Sequence, residues 1–211
     1  MSAGRRILVT GANGQLGQEL RSVASAEWLF TDVDELDICS KESVRDFIVA
    51  NNVGTIVNCA AYTNVDRAEE EPEVAKRING DAVAMLAELS HECSVRLIHI
   101  STDYLFGGEV ITAPIDEDTE PKPLGVYGRT KLMGERAIIE SGCRYVILRT
   151  AWLYSPYGKN FVKTIMRLSS ERKELRVVND QIGTPTYAHD LALVIKDICK
   201  EVVDVEGVYN Y

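Results

Sequence analysis

The chain has 211 residues, 45% of them hydrophobic and 26% charged, with a formal net charge of −9. That length and apolar content suffice for one sizeable α/β unit, and the acidic balance excludes nucleic acid as a partner, because DNA or RNA binding demands a clustered basic surface. Cys39, Cys59, Cys93, Cys143 and Cys199 are widely spaced, without a C-x-x-C pair, and no run approaches a secretory signal or a membrane span; both features point to a reduced, cytoplasmic chain with no membrane partner.

The first predicted strand, Ile7 to Thr10, runs into Gly11-Ala12-Asn13-Gly14-Gln15-Leu16-Gly17 and then a helical pattern. Strand, glycine turn and helix are the order in which unpaired N–H groups at a helix N-terminus receive a pyrophosphate. Gly11 suits the tight turn, Gly14 the close approach of backbone to phosphate, and Gly17 the packing of helix on strand. The spacing is G-x-x-G-x-x-G, not the commoner G-x-G-x-x-G. A second strand, Leu29 to Asp32, ends on a carboxylate at roughly the 20-residue offset where such a group accepts the ribose hydroxyls of an adenosine. A carboxylate there repels a 2′-phosphate, and no Lys or Arg occurs between Asn13 and Leu20. The expected cofactor is therefore NAD(H) or NADP(H), with NAD(H) mildly favoured by Asp32.

Ser40 reads as the N-cap of a helix burying Val44, Phe47 and Ile48. Thr55 to Cys59 is a strand in which Cys59 serves as a small hydrophobe. The run Glu69-Glu70-Glu71 reads as solvation of a helix end. After Pro72, the positions Val74, Ile78, Ala82, Met85, Leu86 and Leu89 form an apolar stripe for the sheet. Further strands are predicted at Arg96 to Ser101, Tyr145 to Arg149, Arg176 to Val178 and, at the end, Gly207 to Tyr211. Strands alternating with helices describe a doubly wound parallel sheet. His91, His99 and His189 fall at no metal-ligand spacing and read as structural histidines. Lys163, Arg167 and Arg149 are candidates to meet a diphosphate.

Between the fourth and fifth strands stands Val126-Tyr127-Gly128-Arg129-Thr130-Lys131. A four-residue step stacks Tyr127 and Lys131 on one helical face. A phenol ionises near pH ~10, and an ammonium at about 4 Å contributes on the order of 4 kcal/mol at an effective dielectric of 20. Desolvation subtracts from that, so the expected net shift is smaller than this yet downward, making Tyr127 a general acid for a carbonyl oxygen while hydride arrives at its carbon.

Thr10 to Gly17, Asn58 to Thr63, Ser101 to Tyr104, the Tyr127/Lys131 pair and Arg149 to Trp152 resemble the extended short-chain dehydrogenase/reductases. Ala60 to Asp66, Ser101 to Phe106, Val126 to Lys131 and Asn179 to Thr186 narrow the resemblance to the dTDP-4-dehydrorhamnose reductase family, over nearly the whole chain. The resemblance implies a Rossmann-like sheet in residues 1–150 that binds NAD(P). Residues 151–211 then add the last Rossmann elements and part of a small substrate-binding lobe, truncated at Tyr211, within one structural unit. It implies Thr102, Tyr127 and Lys131 as the chemical centre, with Lys131 also reaching the nicotinamide ribose. Ala60, Ala61 and Tyr62 would line the nicotinamide half, and Asp37 and Ile38 would touch adenine. Asp103, Tyr104, Trp152, Asn160 and the segment Gln181 to Thr186, Thr184 included, would hold a dTDP-linked 6-deoxy-ketosugar.

One departure from the family pattern concerns metal. Some members hold magnesium between acidic residues at a subunit contact; Glu19 matches one such position, but His189 stands where a second carboxylate is expected. A hard cation wants several oxygens, so no metal and no dimer site of that kind are expected, and a homodimer is otherwise left open. The implied activity is reduction of the C4 ketone of dTDP-4-dehydrorhamnose to dTDP-L-rhamnose. The alternatives are another nucleotide-sugar reductase or epimerase of the same fold, and a non-catalytic regulatory subunit resembling the β subunit of methionine adenosyltransferase.

Overall fold

The computed structural model describes residues 5–107, 113–179, 181–203 and 205–211; Asp180 of the quoted Asn179 to Thr186 motif lies outside them. Six strands form one parallel sheet: β1 (Arg6–Thr10), β2 (Trp28–Thr31), β3 (Val53–Asn58), β4 (Arg96–Thr102), β5 (Tyr145–Thr150) and β6 (Gly207–Asn210), in the order β2-β1-β3-β4-β5-β6. The order reverses between β1 and β3, and the crevice beyond the carboxyl ends of those strands is where an open α/β sheet binds its ligand.

Alternation along the strands divides the core into two layers. Leu8, Ile56, Leu97 and Ile147 face α2 (Lys41–Ala50), α5 (Ala82–Glu92) and α6 (Val126–Glu140). Val9, Val57, Ile98, Val146 and Leu148 face α1 (Gln15–Val23) and α8 (Ala188–Cys199). Both faces are covered, which is why the strands read as continuous apolar runs. Ser40 caps α2 by accepting from the Ser43 N–H, and Val44 and Ile48 are buried beneath it.

The stretch after Pro72 departs from a regular helix. α3 (Val65–Glu70) and α4 (Pro72–Lys76) lead into a π-turn over Arg77–Asp81 before α5 begins. The wider turn rotates the apolar stripe, so Ala75 is buried while Val74, expected in the core, is exposed. In that turn the buried Asn79 accepts from Tyr62 N–H at 2.9 Å and donates to Tyr62 O at 3.0 Å, pinning the chain after β3.

A second correction concerns Arg176 to Val178, which form no strand. Val177 and Val178 are exposed, and a strand requires a ladder partner; the edge of β5 is taken by β6. Among the described residues no helix is long and apolar enough to cross a membrane, and all five cysteines are free thiols.

Candidate active site

Beyond β1 the chain reverses at Gly11, whose φ of +66° is left-handed and whose missing Cβ would lie 2.6 Å from Ala60 N. Only glycine fits there. At Gly17 a Cβ would meet Ala12 Cα at 2.6 Å, so this residue sets the close contact of α1 with the turn. The Asp32 carboxylate, at the end of β2, accepts from Asn13 N–H at 2.8 Å and Val33 N–H at 2.9 Å, bracing the turn.

These residues open onto a cavity of about 930 Å³ lined by Gly11, Asn13, Gly14, Gln15, Leu16, Gly17 and Asp32. Asp37, Ile38, Ala60 and Ala61 line it as well. Tyr62 does not: its phenol donates to Glu71 at 2.7 Å, away from the cavity. The cradle left by the absent Cβ of Gly11, with open N–H groups at the start of α1, fits a dinucleotide pyrophosphate. Arg77 also lines the cavity, 3.9 Å from Asp37, a cation that sequence distance concealed.

Helix α6 carries Tyr127 and Lys131. Its first N–H, on Val126, donates to Glu69 Oε1 at 2.6 Å. Glu69 and Glu71 therefore depart from the expected solvated run: one carboxylate caps α6 at its positive end and the other binds Tyr62. Tyr127, Lys131 and Thr102 line the same cavity as the glycine turn, with Asp103 and Tyr104 beside them. The Thr102 hydroxyl donates to Asp103 Oδ1 at 3.3 Å and accepts from Tyr104 N–H at 3.2 Å, and the Tyr104 ring meets that of Tyr127 edge-on at 5.5 Å.

The expected downward shift of Tyr127 is not found. Burial pushes its phenol up to about 12. The reason is where the lysine goes: Lys131 Nζ donates to Ile100 O at 2.6 Å and lies 3.0 Å from His99 Nε2. Burial lowers Lys131 in turn to about 8, against a smaller opposing effect of Glu135. Burial also raises the carboxyl of Asp103 and takes the Cys59 thiol to about 12, as befits a thiol that is no nucleophile.

Trp152 lines the cavity with a left-handed φ of +48° and packs edge-on against Phe161. Asn160 is the cap of α7 (Phe161–Glu171): its Oδ1 accepts from Lys163 N–H, while its Nδ2 donates to Gln15 Oε1 and Ser155 O, both at 2.8 Å. It thus ties α7 to the glycine turn and does not itself line the cavity. Thr184 is exposed and outside the cavity. The three candidate diphosphate cations are engaged elsewhere: Arg149 with Glu135 at 2.7 Å, Lys163 with Pro156 O and Gly158 O, and Arg167 with Glu171.

His189 Nδ1 lies 3.1 Å from Glu19 Oε2. One carboxylate paired with an imidazole does not fit a hard divalent cation, and among the described residues no group of three metal-ligating side chains converges. Sequence reasoning missed His99, which joins Lys131 to Asn58 on β3. A signal was present in a histidine set within Leu97-Ile98-His99-Ile100, since a polar group in a buried strand requires partners.

Residues 5–211 match the family model described as the RmlD substrate binding domain. The dTDP-4-dehydrorhamnose reductase of Aggregatibacter actinomycetemcomitans is 40% identical, over 98% of this chain and 72% of its own length; that of Escherichia coli K12 is 41% identical, over 97% and 71%. Among solved structures, a dTDP-4-dehydrorhamnose reductase from Clostridium acetobutylicum superposes with a TM-score of 0.91 at 41% identity, covering 98% of this chain and 73% of that one. The Bacillus anthracis reductase, in complex with NADP, gives 0.92 at 39% identity, covering 99% and 74%. With the glycine turn, Thr102, Tyr127 and Lys131 converging on one cavity, and with likeness of this extent, the chain belongs to the dTDP-4-dehydrorhamnose reductase family.

Proposed function

We propose that this chain reduces the C4 ketone of dTDP-4-dehydrorhamnose to dTDP-L-rhamnose, using a reduced nicotinamide cofactor. The observation that carries the reading is the opening of Tyr127, Thr102 and Lys131 into the cavity that begins at Gly11. When bound, the nicotinamide supplies hydride. Thr102 and Tyr127 present two hydroxyls to the carbonyl oxygen, and Tyr127 delivers its proton as negative charge develops there. A phenol raised by burial holds that proton firmly, so transfer needs the cationic form of Lys131 behind it. Asp103, Tyr104 and Trp152 form the wall on which the sugar nucleotide would rest. Asn160 and Thr184 would contribute only through the placement of α7 and the 181–187 segment.

Asp32 supports a mild preference for NAD(H), and Arg77 near the same end of the cavity limits it. The NADH-to-NADPH ratio of kcat/KM is expected to fall in Asp32→Ser and to rise in Arg77→Gln. Five free cysteines support a cytoplasmic setting.

The deciding experiment is loss of reduced-nicotinamide absorbance with the dTDP-ketosugar, with the product identified as dTDP-L-rhamnose. Turnover with a UDP-linked ketosugar instead would assign another nucleotide-sugar enzyme. Cofactor binding with no turnover of any ketosugar would favour a regulatory subunit.

A further inference from the structure

The hydrogen-bonding polarity of the buried His99 is dictated by the backbone around it. Ala60 N–H, which can only donate, lies 3.2 Å from Asn58 Oδ1, and the Thr10 hydroxyl donates to the same oxygen at 2.7 Å. Turning the Asn58 amide over would set an NH₂ group against Ala60 N–H, so its Nδ2 must face His99 Nδ1, at 3.1 Å. An amide nitrogen donates and does not accept. His99 Nδ1 is therefore the acceptor, and the proton of the neutral ring sits on Nε2, 3.0 Å from Lys131 Nζ. An N–H pointed at an ammonium would oppose two donors. A neutral amine resolves this with its lone pair, and of its two N–H groups one reaches Ile100 O at 2.6 Å while the other remains for the cavity.

We propose that His99 is a positioning residue which, held as the Nε2–H tautomer by Asn58, donates to Lys131 Nζ and so favours the neutral amine of that lysine over its ammonium. The proton that makes Lys131 a cation is exchanged through the cavity that Lys131 lines. The catalytic consequence rests on the reductase reading; the tautomer does not. The groups facing Lys131 permit it. Glu135, one turn along α6, has its carboxylate occupied by Arg149, Cys59 at the end of β3 is held as a neutral thiol by burial, and Tyr127 is held as a neutral phenol. Burial lowers His99 well below its ordinary value, which removes the imidazolium alternative. A hydrogen bond that only the amine can accept draws Lys131 further in the direction burial has already taken it.

The chain has three histidines, so nitrogen-15 NMR of histidine-labelled protein without cofactor can read the ring directly. His99 is assigned as the signal lost in His99→Gln, or by elimination with His91→Gln and His189→Gln should that variant not fold. The expected result at neutral pH is a proton on Nε2 and a bare Nδ1; a proton on Nδ1, or an imidazolium, would overturn the proposal. Asn58→Asp reverses the polarity, since a carboxylate accepts from both Ala60 N–H and His99 Nδ1–H, leaving Nε2 to accept from a lysine ammonium. The alkaline limb of kcat/KM is expected to move up by about one pH unit or more in that variant, and an unmoved limb would also overturn the proposal. Absence of ketone reduction by the wild type would end the functional reading, with the NMR result still deciding the tautomer.

Discussion

The polar centre beneath α6 and the segment around α7 are held by opposite means. Beneath α6, Thr10, Asn58, His99 and Lys131 form a chain of buried hydrogen bonds, and Glu135 and Arg149 form a buried ion pair alongside it. No residue of α7 is buried, and Phe161, Val162 and Met166 are exposed. What fixes that region is a handful of polar ties: the Asn160 cap with its bond to Gln15, Lys163 folded back on Pro156 and Gly158, and the bridge between Tyr154 and Tyr187. The groups proposed to handle protons stand on elements whose geometry the core determines, while the proposed wall of the substrate side depends on a few polar ties. Sequence change should therefore be felt steeply in the first region and weakly in the second.

The largest expected effect is at the ion pair. Glu135→Leu leaves the Arg149 guanidinium buried without its partner and is expected to lower unfolding free energy by about 3–5 kcal/mol, read by denaturant titration. Adding Arg149→Met should recover most of the loss, and a double variant as unstable as the single would break the comparison.

The next effect is a pH dependence. Lys131 falls from 10.5 to about 8 in the fold, so between about pH 8 and 10 the unfolded chain carries a proton that the folded chain has released. Stability from this group then rises with pH, by about 2–3 kcal/mol across that window. Tyr127, raised from 10.0 to about 12, opposes it only above pH 10. Subtracting the Lys131→Met curve from the wild-type curve isolates the lysine, and a flat difference would contradict its burial as a cation-averse site.

Smaller effects fall at the seam and beyond. Asn160→Ala removes a helix cap and the tie to Gln15, with an expected loss of about 1 kcal/mol and a raised KM for cofactor. Met166→Ser, on the open face of α7, is expected to change stability by less than about 0.5 kcal/mol.

The same contrast explains what could be read in advance. Strands β1 to β5 were legible because burial on both faces leaves uninterrupted apolar runs, and the glycine turn because Gly11 has no substitute at its φ. Arg176 to Val178 misled because β-branched residues signal a strand only when a ladder partner exists. Val74 misled because a π-turn cannot be seen in a 3.6-residue period. Near the site, spacing and resemblance singled out Tyr127, Thr102 and Lys131, which line one cavity. The direction of the Tyr127 shift was not, because it turns on whether the lysine nitrogen ends beside the phenol or beside His99, and that choice is made by β3 and β4, far away in sequence. Arg77 and the cap that Glu69 gives to α6 were hidden for the same reason.

The central claim is that the Tyr127 hydroxyl gives its proton to the substrate oxygen. Tyr127→Phe tests it most directly, in parallel measurements of kcat and of cofactor affinity by titration of the bound nicotinamide. A fall in kcat of about 10²-fold or more, with cofactor affinity essentially unchanged, is the predicted result; a variant turning over as fast as the wild type would contradict it.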